Sequence, residues 1–248
     1  MTWIAVLLIG VAVTDLAHSI KPVKIVNECT GAAVAVWVGL LAGLTDVADV
    51  VALVVIAGVV VLRGQTVTRA FGRGRAWLPL LVLGLALVAG GLTTAWASPA
   101  AGLLGEWLES VRIPALQGVS ADRALLLVGV FLVQLSTGNV VVRLVLAATD
   151  TTDPTYGSEP DPEQELQGGR LLGPMERVFI VGLGLAGNLV AASIVIAAKG
   201  LLRFPELQSK GEQVRIHRLT EYFLVGSFVS WLVALSSLVL LESGVSGG

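Results

Sequence analysis

The sequence predicts an all-α, polytopic transmembrane helical bundle of about seven membrane segments, and three observations carry that expectation. Of the 248 residues, 55% are hydrophobic and only 14% are charged, whereas a soluble globular chain carries about 25% charged residues. Mean hydropathy is +0.85. The apolar residues also fall into runs that approach the ~20 residues needed to cross a hydrocarbon core, and the stretches between them collect the charges. One integral membrane domain, residues 1–248, accounts for the whole chain, with the lipid bilayer as its surroundings.

Composition also excludes function classes. A net charge of −2 offers no basic face to a nucleic acid. Cys29 is the single cysteine, so an intramolecular disulfide and a Cys-rich metal site are excluded. His18 and His217 are the two histidines, which argues against a His-based metal centre. No Ser/His/Asp arrangement is visible, so no catalytic residue, metal or cofactor is implied, although chemistry by Asp, Glu and Lys alone stays open.

The segments follow in order. Segment one, Trp3 to Ile20, has no basic lead-in and no small-residue cleavage site, so it reads as a retained helix rather than a signal peptide. Lys21-Pro22-Val23-Lys24 closes it, with proline as the breaker. Segment two runs from Ile25 to Leu44, with Asn27 and Glu28 at its polar end. Thr45 to Asp49 forms an acidic turn in which Asp46 and Asp49 are expected to be solvated. Segment three, Val50 to Leu62, is short, and Arg63 to Arg75 reads as a basic loop. Segment four is Trp77 to Ala97, with Trp77 and Trp96 at its ends, where interfacial aromatics belong.

Residues 99–118 place Leu103, Leu104, Trp107, Leu108 and Val111 at helical spacing, with Glu106, Glu109 and Arg112 on the other face. This pattern predicts an interfacial amphipathic helix, lying either on the membrane or on the protein's own outer face. Segment five, Ala124 to Ala148, is interrupted by Gln134 and by Ser136-Thr137-Gly138-Asn139. Residues 149–169 gather acids and prolines and read as a flexible acidic loop. Their spacing matches no calcium-binding loop. Segment six is Val178 to Ala198, Lys199 to Arg218 is a basic loop, and segment seven is Leu219 to Leu241.

Cytoplasmic loops carry the excess of Lys and Arg. Placing the chain in a bacterial cytoplasmic membrane with the N-terminus outside puts Lys21, Lys24, Arg63, Arg69, Arg73 and Arg75 inside, as the rule asks. The basic loop after segment six then falls outside, against the rule. If segment six instead enters and returns on the same side, only Arg112 and Arg123 remain outside. Its tip would lie at Gly182 to Asn188, with arms of about 14 Å at 1.5 Å per residue. Non-helical backbone at that depth needs protein or water around it. Both a crossing helix and a re-entrant hairpin stay open.

Val178 to Val181 followed by Gly182-x-Gly184-x-x-Gly187 also matches a dinucleotide fingerprint. That motif works only at the turn of a βαβ unit over a parallel sheet, and here membrane segments flank it. In a membrane helix the same glycines let another helix approach closely. Gly182, Gly184 and Gly187 are therefore candidate contacts for a second copy or a partner subunit, and Asn188 would be a polar group near mid-membrane.

Three stretches around this segment resemble linked motifs of a family of uncharacterised bacterial membrane proteins, some of them prophage-associated. They are Leu171-Leu172-Gly173-Pro174-Met175-Glu176-Arg177, Ala197-Ala198-Lys199-Gly200-Leu201-Leu202-Arg203-Phe204 and Glu221-Tyr222-Phe223-Leu224-Val225-Gly226. The family's forms are Leu-Ile-Gly-x-Leu-Glu-Arg, Ala-Ala-Lys-Ser-x-x-Arg-Phe and Glu-Tyr-Phe-Leu-Ile-Gly, in similar order and spacing. The resemblance covers about residues 170–235. Pro174-Met175 replaces a more regular helical pair, and Gly200 stands where Ser is usual. The resemblance implies membership and topology, and no activity.

Ionisable groups inside a bilayer usually face a partner or a cavity. Asp15 and His18 lie one turn apart on one face of segment one, either sharing a proton or wetted at the interface. Glu176 and Arg177 start segment six, Lys199 and Arg203 end it, and Glu221 starts segment seven. A Glu221 pair with Lys199 or Arg203 is expected. In the re-entrant arrangement these five gather with Arg143, and Asn139 adds a polar group in the interrupted segment five. Two functions fit: a small-solute or ion transporter or channel, and a non-catalytic subunit or scaffold of a larger membrane complex. A cysteine placed at Ser209 in a Cys29→Ser background tests the topology. It is labelled only from the cytoplasmic side if segment six re-enters, and from outside if it crosses.

Overall fold

A computed structural model describes residues 1–21, 23, 25–73, 75–111, 118–149, 151, 169–207 and 213–243. Among these residues the chain is all-helical, without strands. The helices are α1 (Thr2–Ile20), α2 (Val26–Leu41), α3 (Val47–Arg73), α4 (Trp77–Leu92), α5 (Gly102–Ser110), α6 (Ala121–Leu135), α7 (Thr137–Ala148), α8 (Gly169–Leu185), α9 (Leu189–Leu207) and α10 (Gln213–Ser243). They form two compact units, one of Met1–Thr137 with Leu241–Gly248 and one of Gly138–Leu240.

In the first unit α1 is the central element, packed against α2, α3 and α6 and touching α4. Its sequence is apolar all round, and such a helix belongs inside a bundle. Ile4 to Ile9, Val11 and Ala12 are all buried. Small residues let the neighbours approach. A Cβ on Gly10 would lie 2.8 Å from Ala35 Cβ of α2 and 3.0 Å from Val60 Cγ2 of α3. Gly31 of α2 sits against the Thr14 hydroxyl of α1, and Gly129 of α6 would bring a Cβ within 3.1 Å of the Ala5 carbonyl. Ser136, where α6 stops, donates to the Ala12 carbonyl at 2.9 Å.

The end of α2 shows how local chemistry fixes a boundary. Gly43 has φ +80°; its N–H reaches the Leu40 carbonyl at 3.0 Å, and the Leu44 N–H reaches Gly39 at 3.1 Å. This is the Schellman stop, in which a left-handed glycine lets two orphan carbonyls be capped. Ala101 then donates to the Ala42 carbonyl at 2.8 Å. Gly102 packs its backbone on Gly43, where any Cβ would lie 2.9 Å from the Gly43 nitrogen, and α5 starts from that point.

In the second unit the glycine-rich stretch has the same stop. The Gly187 N–H bonds the Gly184 carbonyl at 2.9 Å and the Asn188 N–H bonds Leu183 at 2.9 Å, with Gly187 at φ +73°. A new helix starts at once, with the Ala192 N–H on the Asn188 carbonyl at 3.2 Å. Segment six is therefore two helices, α8 and α9, and an unbroken helix over Val178 to Ala198 does not form. The three glycines have separate roles. Gly187 caps, Gly184 sits under Leu238 of α10, and Gly182 has no atom within 4 Å of where a Cβ would be.

Several expectations change. Among the described residues α1, α3 and α10 are long and apolar enough to cross a bilayer, and α6 with α7 across the break at Ser136 makes up to four. The count of seven is not reached: α2 and α4 have 16 residues each, about 24 Å at 1.5 Å per residue. Arg63 to Arg73 is not a loop but the continuation of α3, since a single glycine, Gly64, is tolerated inside a helix and no proline interrupts the stretch. Segment five stops at Ser136 and restarts at Thr137. The expected interfacial helix is the nine-residue α5, which buries Leu108 and exposes Leu103 and Trp107; residues 112–117 lie outside the described residues. So does most of the acidic loop, 150 and 152–168.

The packing around α1 gives a direct test. Gly31→Ala forces the added methyl into Thr14 and costs on the order of 1–3 kcal/mol by overpacking. Gly58→Ala, where nothing lies within 4 Å, leaves stability unchanged or slightly raised. Thermal unfolding of the two purified variants in detergent compares them.

Candidate functional site

One polar level of the first unit lies toward the C-terminal end of α1. Asp15, 5% exposed, lies on the buried face of α1, and Arg63, 1% exposed, projects from α3. Arg63 Nη1 donates to Asp15 Oδ1 at 2.8 Å. A buried charge without such a partner would be strongly unfavourable, so this contact fixes where α3 stands along α1. The pairing is nevertheless incomplete. Asp15 Oδ2, Arg63 Nε and Arg63 Nη2 are all buried without a hydrogen-bond partner. The Nε and Nη2 groups form the side-on edge of the guanidinium, which is the fork that grips a carboxylate through two bonds. That edge is open.

Glu28 of α2 reaches the same level. It is 2% exposed, and its Cγ would lie 2.6 Å from a Cβ on Gly64. The residue after Arg63 must therefore be glycine for the Glu28 side chain to fit. Glu28 Oε2 is buried and has no partner. His18 lies one turn beyond Asp15. Its Nδ1 lies 3.1 Å from the Thr14 carbonyl, which can only accept. Nε2 is also buried without a partner.

A second polar cluster lies at the other end of α1, and its hydrogen bonds tie loops together. Asp49, at the start of α3, is fully buried. It accepts from Trp3 Nε1 at 2.7 Å and from the Ser98 N–H at 3.4 Å. Asp122 of α6 accepts from the Thr2 hydroxyl at 2.5 Å and from the Ala100 N–H at 3.1 Å. Asp49 is thus not the solvated turn residue expected from sequence, whereas Asp46 is exposed. The fault in that expectation was the position of α3, which starts at Val47 and turns Asp49 inward.

In the second unit Arg177 is 1% exposed. Its Nη2 donates to Asn139 Oδ1 of α7 at 2.7 Å and its Nη1 to Ser230 Oγ of α10 at 3.0 Å. Gly138 lets the guanidinium lie against α7, since a Cβ there would come within 2.6 Å of Arg177 Nε. Arg177 is not the first residue of a segment: α8 starts eight residues earlier and runs through the buried Pro174. Arg177 thus joins α7, α8 and α10, which is a packing device more than a site.

The sequence-derived candidates thus separate. Asp15 and His18 lie on the polar face of α1 in the first unit, and Asn139 joins Arg177 in the second unit. Glu176 is half-buried beside Arg177, while Arg143, Asn188 and Glu221 are exposed. The side chains of Lys199 and Arg203, and with them the expected pairing to Glu221, lie outside what is described. Sequence reasoning missed Arg63 and Glu28. The signal for Arg63 was available: it follows Val59-Val60-Val61-Leu62 directly, and no proline comes between it and Arg73.

Comparison with protein-family models, with curated proteins and with solved structures gives no match.

Removing one member of a buried pair strands the other, typically at 3–5 kcal/mol. Asp15→Asn or Arg63→Gln alone is expected to lower the unfolding midpoint sharply. The double variant recovers much of the loss, because no charge is left stranded. A double-mutant cycle on thermal stability in detergent measures the coupling; additive losses would mean the pair carries no interaction energy.

Proposed function

We propose that this integral membrane protein is a carrier or channel for a small solute or ion in a bacterial cytoplasmic membrane, with its N-terminus outside. One observation carries the reading: Glu28 is buried within the first helix bundle without a hydrogen bond, beside an Asp15–Arg63 pair whose guanidinium has an open edge. Burying such groups is costly in a membrane protein and is tolerated where they mark a path or a binding step. The break between α8 and α9 at Gly187 supports the same class, since interrupted helices are used where backbone must line a polar space.

The second reading is a non-catalytic subunit or scaffold. It is favoured by Gly182, whose face is open to a neighbouring helix, and would use that face for a second copy or a partner. Gly184 is less available to it, being covered by Leu238. Membership of the family whose three motifs were described above is also proposed. It is supported by their positions on the consecutive helices α8, α9 and α10 and by the buried role of Arg177 in the first of them.

Proteoliposomes containing the full chain test the carrier reading. Shrinkage followed by light scattering, against gradients of sodium, potassium and choline salts and of small polyols, is expected to relax faster than in empty liposomes for at least one solute. Glu28→Gln reduces that rate at least tenfold and Gly58→Ala does not. Indistinguishable rates with and without protein across the whole panel would remove the carrier reading.

A further inference from the structure

Two guanidinium groups meet where α3 gives way to α4. Arg69 lies near the end of α3, and Arg75 stands two residues before α4. With Thr66, Ala70 and Leu78 they line a cleft of about 560 Å³. Both arginines are exposed. Arg69 Nη2 donates to Gln65 Oε1 at a long 3.4 Å. The Thr66 hydroxyl donates to the Arg63 carbonyl at 2.8 Å, so among the lining side chains the guanidinium groups are the donors left for a ligand. The stretch between them, Phe71-Gly72-Arg73-Gly74, holds a third arginine and no acid. The N-terminus of α4 adds to this charge. Its N-cap is Ala76, with no side-chain cap hydrogen bond, so no side chain there answers the partial positive charge of the helix end.

The cleft lies at the end of a membrane span. α3 is long and apolar enough to cross from Val47 to Phe71, which puts Arg69 at its limit. Phe71 and Trp77, 49% and 54% exposed, flank the arginines, as aromatic residues do at a membrane interface. From Leu78 the surface of α4 continues through Leu81, Leu85, Val88 and Leu92, at spacings of three and four residues, which keep one helix face. Those four are all exposed. The stripe runs about 21 Å at 1.5 Å per residue, enough to pass the ~15 Å of hydrocarbon in one leaflet. A cationic cleft therefore opens directly onto an apolar track.

A small free anion matches the guanidinium groups and not the track. A second copy docked along the track in a parallel two-fold pair brings its own arginines to the same level, where like charges repel. A phospholipid has both parts: a phosphate, which a guanidinium grips through two bonds, and acyl chains for the leucines. We propose that this cleft binds an anionic phospholipid, with the headgroup phosphate between Arg69 and Arg75 and an acyl chain along Leu81, Leu85 and Val88. Basic pockets beside membrane helices take acidic headgroups in this way. A zwitterionic lipid binds less well, because its ammonium meets the same two arginines. A carrier and a scaffold accommodate such a site equally, so it is independent of that choice.

Native mass spectrometry of the full chain in detergent, titrated with phosphatidylglycerol, phosphatidylcholine or inorganic phosphate, tests the site. Phosphatidylglycerol is expected to bind at least fivefold more tightly than phosphatidylcholine, and millimolar phosphate does not displace it. Arg69→Gln with Arg75→Gln weakens phosphatidylglycerol at least tenfold, while Arg123→Gln, in the first turn of α6, leaves it unchanged. If the double variant fails to fold, a photoreactive phosphatidylglycerol on the unmutated protein reads the same site, with adducts expected on α4 between Leu78 and Val88. Equal binding of the two lipids, undiminished binding by the double variant, or adducts confined to other helices each overturns the proposal. Displacement by phosphate reduces the site to one for a free anion, and a dimer that excludes the lipid from α4 makes the track a contact between copies; either result also overturns it.

Discussion

The contact between Asp15 and Arg63 is the constraint on which the first unit depends. A charge on α1 can remain inside an apolar bundle only if α3 brings its complement to the same height, and the three helices must then approach closely. Gly10 of α1, Gly31 of α2 and Gly64 of α3 allow that approach. The apolar residues of α1 determine that it is buried. They do not determine how far each neighbour is shifted along it, because a Leu/Val surface packs almost equally well after a slide of one turn. A single buried ion pair removes that freedom.

The two ends of α1 use polarity differently. At the N-terminal end, Thr2 and Trp3 donate to Asp122 and Asp49, and the chain near Ser98 and Ala100 is held by the same carboxylates. There, among the described residues, only Asp49 Oδ2 is buried without a partner, whereas at the other end Asp15, Glu28, Arg63 and His18 each keep at least one such atom. Satisfied networks rigidify a fold, whereas an unpaired buried polar group is costly and calls for an explanation.

Helix class was legible in the sequence because composition and run length dominate it. Boundaries were less legible, and the misses share a cause. Arg63 and Glu28 were assigned to polar ends because a charged residue beside an apolar run reads as the edge of that run. A helix inside a bundle, however, can carry a charge within the span if a neighbour supplies its partner, and that partner lies on another helix. Asp49 was misplaced for the same reason. Gly187 failed in another way: its spacing left a helix contact and the tip of a re-entrant turn open, and the backbone, with φ +73°, shows a cap. The Arg177 contact with Asn139 and Ser230 joins residues 38 and 53 positions away, beyond any local periodicity.

The length of α3 has a consequence for the surrounding lipid. Its 27 residues extend about 40 Å at 1.5 Å per residue, against a hydrocarbon thickness near 30 Å. The excess must be absorbed by tilt or by protrusion into the headgroup layer. Because Asp15 clamps the helix at Arg63, tilting α3 also moves the charged level of the bundle relative to the membrane plane. Bilayer thickness and the depth of the buried charges are therefore mechanically linked, and a change in lipid chain length reaches the bundle interior through one rigid rod.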